Sequence, residues 1–150
     1  MYKRQLPGLR AFQKYAVMAG GGSNHRYRLD DAILIKDNHL ALCGGVKPAL
    51  DGARRRAGHL MTIELEVDTL EQLGEAIAAG GADAYLLDNM PPDMLREAVR
   101  MIDGKAIAEA SGGITPRTAR SIAETGVDIL SLGWLTHSVT ALDIGLDIEC

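Results

Sequence analysis

Five short apolar runs recur along the chain: 32–36 (AILIK), 61–67 (MTIELEV), 84–88 (AYLLD), 106–110 (AIAEA) and 128–132 (DILSL). They are shorter than helices and alternate little, the mark of strands covered on both faces. Between them the apolar spacing becomes helical. Met94, Leu95, Ala98, Val99 and Ile102 fall on one helix face, as do Leu70, Leu73, Ala76 and Ile77, and again Ala119, Ile122, Ala123 and Val127. Asp68 followed by Glu71 has capping-box spacing, with Asp in place of Ser or Thr. Thr115-Pro116 predicts an N-cap with proline at the first helical position, and Gly80-Gly81 and Gly126 predict helix stops. Strands and helices in alternation predict parallel strands joined by right-handed crossovers. The fold class is therefore α/β, either an open doubly wound sheet or part of a (β/α) barrel. A closed barrel takes eight strands and about 250 residues, so a barrel built from this chain is incomplete.

Composition narrows the picture. The 150 residues are 47% hydrophobic and 24% charged, enough for one globular core and unlike a disordered chain. No apolar run is long enough to span a bilayer, and the basic, polar opening MYKRQLPGLR lacks the apolar centre of a secretory leader. Cys43 and Cys150 lie far apart without CxxC spacing, which excludes a disulfide scaffold and suits a reducing cytoplasm. The net charge of −4 is unevenly divided: residues 1–60 carry 11 Lys+Arg against 4 Asp+Glu, and residues 61–150 carry 5 against 16. Only 4% of residues are aromatic, so the basic half has little with which to stack on nucleic-acid bases. A compact anion held by the front half and a cation held by carboxylates of the back half fit the division instead.

In either α/β architecture, ligands bind at the carboxyl ends of the strands. Those ends read Lys36-Asp37-Asn38-His39, Glu64 and Glu66, Asp88-Asn89, Ser111-Gly112-Gly113 and Ser131-Leu132-Gly133. Ser111-Gly112-Gly113 leads toward a predicted helix start, and Ser131 to Gly133 offers a second glycine turn. Such turns present backbone N–H groups to a phosphate, and a helix N-terminus adds partial positive charge. Glu66 and Asp88 suit Mg²⁺, acid–base work or a hydroxyl-binding role. Glu64 shares the parity of Glu66 and needs a partner that the sequence does not reveal. The front half supplies Arg10, Lys14, His25, Arg26, Lys36 and His39, with His25-Arg26 presented by the Gly20-Gly21-Gly22-Ser23-Asn24 loop. Arg suits bidentate carboxylate recognition. Lys36 closes an apolar strand, which predicts a buried stem and an amine directed into a site. No HExxH, GxSxG, Walker A or GxGxxG motif is present, so neither a motif-type zinc site nor a nucleophile elbow is expected.

The stretches PGLR (7–10), KYAV (14–17), GGGSNHR (20–26), LIKDNH (34–39), IELEVD (63–68), LLDNM (86–90), EASGGI (109–114), TGVDILSLG (125–133), LTHS (135–138) and ALDIGLDI (141–148) run in order along nearly the whole chain. In them the sequence resembles the quinolinate phosphoribosyltransferases, the decarboxylating nicotinate-nucleotide pyrophosphorylases of NAD biosynthesis. The resemblance implies an incomplete, open α/β barrel of type II phosphoribosyltransferase kind. It implies transfer of phosphoribosyl from phosphoribosyl pyrophosphate to quinolinate, with release of pyrophosphate and CO₂ and a requirement for Mg²⁺. It assigns His25, Arg26 and Lys36 to quinolinate, Glu66 and Asp88 to the ribose and metal, and Ser111, Gly112, Gly113, Ser131 and Gly133 to the 5-phosphate. Glu66, Asp88 and Lys36 are the expected catalytic set. Neither nucleic acid nor a membrane is an expected partner, and a homo-oligomer is.

The resemblance also sets expectations by its departures. Where the family has Thr-Arg-Lys-Thr-Thr, this chain reads Tyr2-Lys3-Arg4-Gln5-Leu6, so Lys3 and Arg4 are transposed candidates for the substrate clamp. Residues 1–150 correspond to the C-terminal part of the catalytic barrel, with the family's N-terminal α/β domain absent. Little activity is expected of the isolated chain, and an open barrel edge is an expected association hazard. Two other readings remain at this point: a molybdate-transport-linked homologue with a different aromatic acid acceptor, and a non-catalytic phosphosugar-binding domain.

Overall fold

The computed structural model describes residues 6–146 and 148. In chain order the elements are α1 (Arg10–Ala19), β1 (Ile33–Ile35), α2 (Asp37–Cys43), α3 (Val46–Arg56), β2 (Ile63–Val67), α4 (Leu70–Ala79), β3 (Ala84–Asp88), α5 (Pro92–Ile102), β4 (Ile107–Ser111), α6 (Ala119–Ala123), β5 (Ile129–Leu130) and α7 (Trp134–His137). The strands form one sheet in the order β1-β2-β3-β4-β5, and every neighbouring pair is parallel. Each crossover steps one strand over in the same direction, and with the right-handed sense usual for parallel strands this places successive helices on one face. Accordingly α3, α4, α5 and α6 pack side by side in chain order. A doubly wound sheet would reverse direction and cover both faces, so this unreversed order is that of a barrel wall. Among the described residues β1 and β5 do not pair, and the wall stays open.

Side chains alternate between the two faces of a strand. Ile35, Ile63, Leu65, Val67, Leu87 and Ala110 point into the core beneath the helices, where they meet Leu50, Leu73, Leu95 and Ala98. The inner face carries the opposite parity. In register across it lie Leu34, Glu64, Ala84 and Ile107, then Glu66, Leu86, Glu109 and Ile129, then Asp88 and Ser111. The expectation of strands covered on both faces holds for β3 but fails at the start of β4 and at β5. Ile107 and Ile129, on the inner face, are 41% and 42% exposed because no further wall stands opposite them among the described residues.

Of the predicted strands, β3 has the expected bounds, β2 starts two residues later, and the other three differ by one or two residues at each end. The helices α4 and α5 follow the apolar spacing, and α6 is confined to five residues. Four further helices, α1, α2, α3 and α7, escape the periodicity. In α3 the buried Val46, Ala49 and Leu50 have helical spacing, and Pro48 is accommodated because it lies in the first turn.

Two predicted caps move. Thr69, not Asp68, caps α4: its hydroxyl accepts from the Gln72 N–H, while the Gln72 side chain accepts from the Asp68 N–H. The Ser/Thr N-cap thus lies one residue later than Asp68 suggested, and the reciprocal side-chain bond reaches the N–H of Asp68 rather than that of the cap itself. Thr115-Pro116 does not open α6. Residues 116–118 form a turn, Thr118 is the N-cap, and its hydroxyl accepts from the Thr115 N–H.

Register is fixed at the amino ends by a repeated device. Asp83, just ahead of β3, accepts the Ile63 N–H on its carboxylate (2.8 Å), and its own N–H donates to the Ile63 carbonyl. Asp128, just ahead of β5, does the same with Ala108 of β4. Burial alone would raise the Asp83 pKa, but the Ile63 N–H and the Arg54 guanidinium bring it below its ordinary value. Outside this core, α1 buries none of its residues, and Phe12, Tyr15 and Met18 on it are exposed.

Candidate active site

The carboxyl ends of β1 to β4 converge on one rim, as a parallel sheet requires. Lys36 follows β1, and its amine pairs with the Glu66 carboxylate of β2. The Lys36 side chain is 43% exposed and that of Glu66 is 14% exposed, so the predicted buried stem is only partly realised. The main chain at Lys36 is held by α2: the Lys36 N–H donates to His39 Nδ1 (2.9 Å), and its carbonyl accepts from the His39 N–H (2.8 Å).

Asp88 ends β3 opposite Ser111, the last residue of β4. It lies on the same face as Glu66, one strand over and one layer nearer the rim. The Asn89 side-chain amide donates to Asp88 Oδ2 (2.7 Å), and the Asn89 N–H donates to the Ser111 carbonyl (2.9 Å). Gly112 and Gly113 follow with φ of +92° and +60°, a region that glycine enters without strain. A Cβ at Gly112 would stand 2.2 Å from Asn89 Oδ1 and 2.8 Å from Asn89 N. The first glycine is therefore required both by its backbone and by its neighbour. Because α6 starts at Ala119, the expected helix dipole does not sit directly behind this turn, and anion affinity there falls to the backbone N–H groups.

Ser131 and Gly133 lie beyond β5. The Ser131 hydroxyl donates to Glu109 and its N–H to the Ala110 carbonyl (2.9 Å), so this serine is tied to β4. Gly133 is the N-cap of the four-residue α7.

The remaining cations approach the inner face from the other end. Arg26 Nη1 donates to the Ala32 carbonyl just ahead of β1 (3.2 Å). With His25 it lines a cavity of about 230 Å³ walled by Glu64, Ala84, Glu109 and Ile129. His25 Nε2 is 3.3 Å from Glu64 Oε2 and 3.7 Å from Glu109 Oε1, which supplies the partner that Glu64 needed. The three expected clamp residues are thus divided, with Lys36 at the rim and His25 and Arg26 below. Lys14 holds the lower pair in place, its amine donating to the carbonyls of His25 (2.9 Å) and Arg26 (3.2 Å). Lys3 and Arg4 lie outside the described residues.

His25, Glu64 and Glu109 offer ligand atoms within 4.8 Å of one another. The tautomer decides what they do. His25 Nδ1 accepts the Arg26 N–H (2.8 Å), so in the neutral ring the proton is on Nε2 and points at the carboxylates. No lone pair remains there for a metal, and the trio is a hydrogen-bonded network. The hydrogen bond that His25 donates to Glu64 raises the His25 pKa against the effect of burial. Burial, with the nearby Glu64 charge, raises that of Glu109. Glu64 Oε1 is buried and has no hydrogen-bond partner. Glu109 was missed as a site residue, although it shares the parity of Ser111 two positions on, which alone puts it on the inner face.

No helix among the described residues is long and apolar enough to cross a membrane. Comparison with known proteins gives the geometry its context. The chain is 51% identical over 146 residues to a probable carboxylating nicotinate-nucleotide pyrophosphorylase of Bacillus subtilis, covering 97% of this chain and 50% of that protein. It is 50% identical to a nicotinate-nucleotide pyrophosphorylase of Mycobacterium leprae, with 97% and 52% covered. Among solved structures, the nicotinate-nucleotide pyrophosphorylase of Ehrlichia chaffeensis superposes with a TM-score of 0.91 at 41% identity, covering 98% of this chain and 53% of that one. The chain therefore spans about half the length of the relatives it matches. Residues 2–147 match the family described as quinolinate phosphoribosyl transferase, C-terminal domain, and with half the positions identical to members of known name, the chain belongs to that family.

Proposed function

We propose that this chain carries the catalytic rim of a quinolinate phosphoribosyltransferase, joining quinolinate to phosphoribosyl pyrophosphate with release of pyrophosphate and CO₂. The observation that carries the reading is the rim itself. A lysine–carboxylate pair (Lys36–Glu66), a second carboxylate (Asp88) and a glycine turn (Ser111 to Gly113) occupy adjacent strand ends in a chain of this family.

In this reading the N–H groups of Gly112 and Gly113, a left-handed glycine turn of the kind that suits anions, bind the 5-phosphate together with the N–H of Gly133, the Ser131 N–H being spent on Ala110. The donor set at the rim fits Mg²⁺, because Glu66 and Asp88 offer hard carboxylate oxygens on one face. Those two residues would hold it, and the ion supplies charge neutralisation for the pyrophosphate. Lys36 at the rim and Arg26 and His25 below it hold the carboxylates of quinolinate within the inner face. The ring nitrogen attacks the ribose anomeric carbon as the bond to pyrophosphate breaks. Carboxylates on the inner face stabilise the positive charge that develops on the sugar. Once the nitrogen is quaternary, the adjacent carboxylate leaves as CO₂, its electron pair remains on the ring carbon as an ylide stabilised by the positive ring nitrogen, and a proton from water completes the product. No protein nucleophile is needed. The homo-oligomeric state and cytoplasmic setting implied by the resemblance belong to the same proposal.

Calorimetric titration with quinolinate and with nicotinate tests the reading, since the second lacks one carboxylate. We expect saturable quinolinate binding at least tenfold tighter than nicotinate. Equal affinities, or no quinolinate binding, would overturn the dicarboxylate assignment. Failure of any longer chain containing these residues to release pyrophosphate in the presence of Mg²⁺ would overturn the enzymatic one.

A further inference from the structure

The two rim carboxylates are treated differently by their surroundings. Glu66 is paired with a cation, Lys36. Among the described residues no cationic side chain pairs with Asp88, whose hydrogen-bond donor is the neutral amide of Asn89. Asp88 therefore keeps its full charge for a cation while a neutral donor orients it, whereas Glu66 shares its charge between Lys36 and the ion proposed above. Neutral hydrogen-bonding partners of this kind orient metal-ligating groups generally.

Asn89 itself is held in an unusual state. Its φ is +54°, and it is one of two non-glycine residues with positive φ among those described, the other being Asp103 at a helix end. Asparagine tolerates this region better than most residues, but the conformation still persists only where the surroundings enforce it. Here they do so from two sides. The Asn89 N–H is anchored on the Ser111 carbonyl (2.9 Å), and its side-chain carboxamide lies where a Cβ of residue 112 would be. One asparagine thus touches the carboxylate at the end of β3 and the glycine turn at the end of β4.

We infer that Asn89 is a positioning residue that sets the Asp88 carboxylate for a metal-bound pyrophosphate and locks it in register with the phosphate-binding turn through Gly112. The inference rests on the function proposed above and adds a residue that acts through Asp88. It separates two roles at Asn89: the side-chain amide orients Asp88, and the left-handed backbone lets the amide lie over Gly112.

Two variants divide those roles. Asn89→Gly keeps the left-handed backbone at no cost but deletes the amide. Asn89→Ala deletes the amide and adds backbone strain. Binding of two ligands is read by calorimetry on the 150-residue chain, with circular dichroism melts as the folding control. Ribose 5-phosphate reports the phosphate turn, and phosphoribosyl pyrophosphate with Mg²⁺ adds the metal-dependent part. In both variants we expect Mg²⁺-dependent binding of phosphoribosyl pyrophosphate to weaken about tenfold or more, the range for loss of an orienting partner. Ribose 5-phosphate binding should stay within about twofold of the parent protein. Equal loss for both ligands would show a merely structural role and overturn the inference. So would an unaffected Asn89→Gly beside a weakened Asn89→Ala, because the backbone and not the amide would then matter. If the parent protein bound neither ligand, the proposed function would fall and the inference with it. Binding by the parent that is unchanged in both variants would overturn the inference alone.

Discussion

A methyl group at residue 112 has nowhere to go. It would stand 2.2 Å from Asn89 Oδ1 on a backbone at φ +92°, so Gly112→Ala should cost about 1–3 kcal/mol in backbone strain, with the clash in addition. A thermal melt would show this as a clear drop in Tm, and ribose 5-phosphate affinity should fall with it. Lys36 is a different case. Its pair with Glu66 is partly exposed, so losing it should cost only about 1 kcal/mol in stability, below the 3–5 kcal/mol of a fully buried pair. Lys36→Glu should nonetheless abolish quinolinate binding and leave ribose 5-phosphate binding intact, as parallel titrations would reveal. Unchanged quinolinate affinity would remove Lys36 from the clamp. Lys36, Glu66, Asp88 and Gly112 were legible in the sequence because each lies at the exit of an apolar run. The pairing of His25 with Glu64 and Glu109 was not, since those residues come from three separate segments and meet only when the sheet assembles.

The elements themselves follow from local patterns wherever those patterns are undisturbed. The stripe Leu95, Ala98 and Ile102 announces α5, and the bounds of β3 are those of its apolar run. The helices α2 and α3 were hidden by Gly44, Gly45, Pro48 and Gly52, which break the apparent period although the fold places them at caps, in a first turn or on a surface. Ahead of β3 and β5 the glycines Gly80-Gly81 and Gly126 were readable only as helix stops, because the work of Asp83 and Asp128 behind them lies in a bond to another strand. Asp83→Ala removes the acceptor for the Ile63 N–H and the partner of Arg54. It should destabilise the protein by about 1–3 kcal/mol, the cost of leaving a partly buried donor unsatisfied. Chemical denaturation would measure it, and a change within about 0.5 kcal/mol would mean that the clasp is replaceable by water. Truncation of the fully buried Leu65 should cost about 2–5 kcal/mol by the same measurement.

Across the whole molecule the inner face is where charge and exposure are concentrated. Its buried network imposes a pH dependence of definite sign. Glu109, raised chiefly by burial, and His25, raised chiefly by its hydrogen bond to Glu64 and opposed mainly by burial, both hold protons in the folded chain that the unfolded chain releases. Stability should therefore fall as pH rises from the ordinary glutamate value of 4.5 through and beyond the ordinary histidine value of 6.5. Melts of the parent protein and of Glu109→Gln across about pH 5 to 8 should show a decline that the variant flattens. A parent profile that rises over this range would contradict the network. The parallel α/β sheet was legible from the spacing of the strands and its barrel kind through the family resemblance, but the division of the cations between the rim and the lower cavity was not. It depends on where residues 20–32 cross the inner face, which no local pattern records. The central claim is that the carboxyl-end rim binds a phosphoribosyl pyrophosphate. Backbone amide chemical-shift mapping during titration with phosphoribosyl pyrophosphate and Mg²⁺ tests it most directly. The account predicts saturable shifts at Ser111, Gly112, Gly113, Gly133 and Asn89. Shifts confined to the outer helices, or none at millimolar ligand, would contradict it.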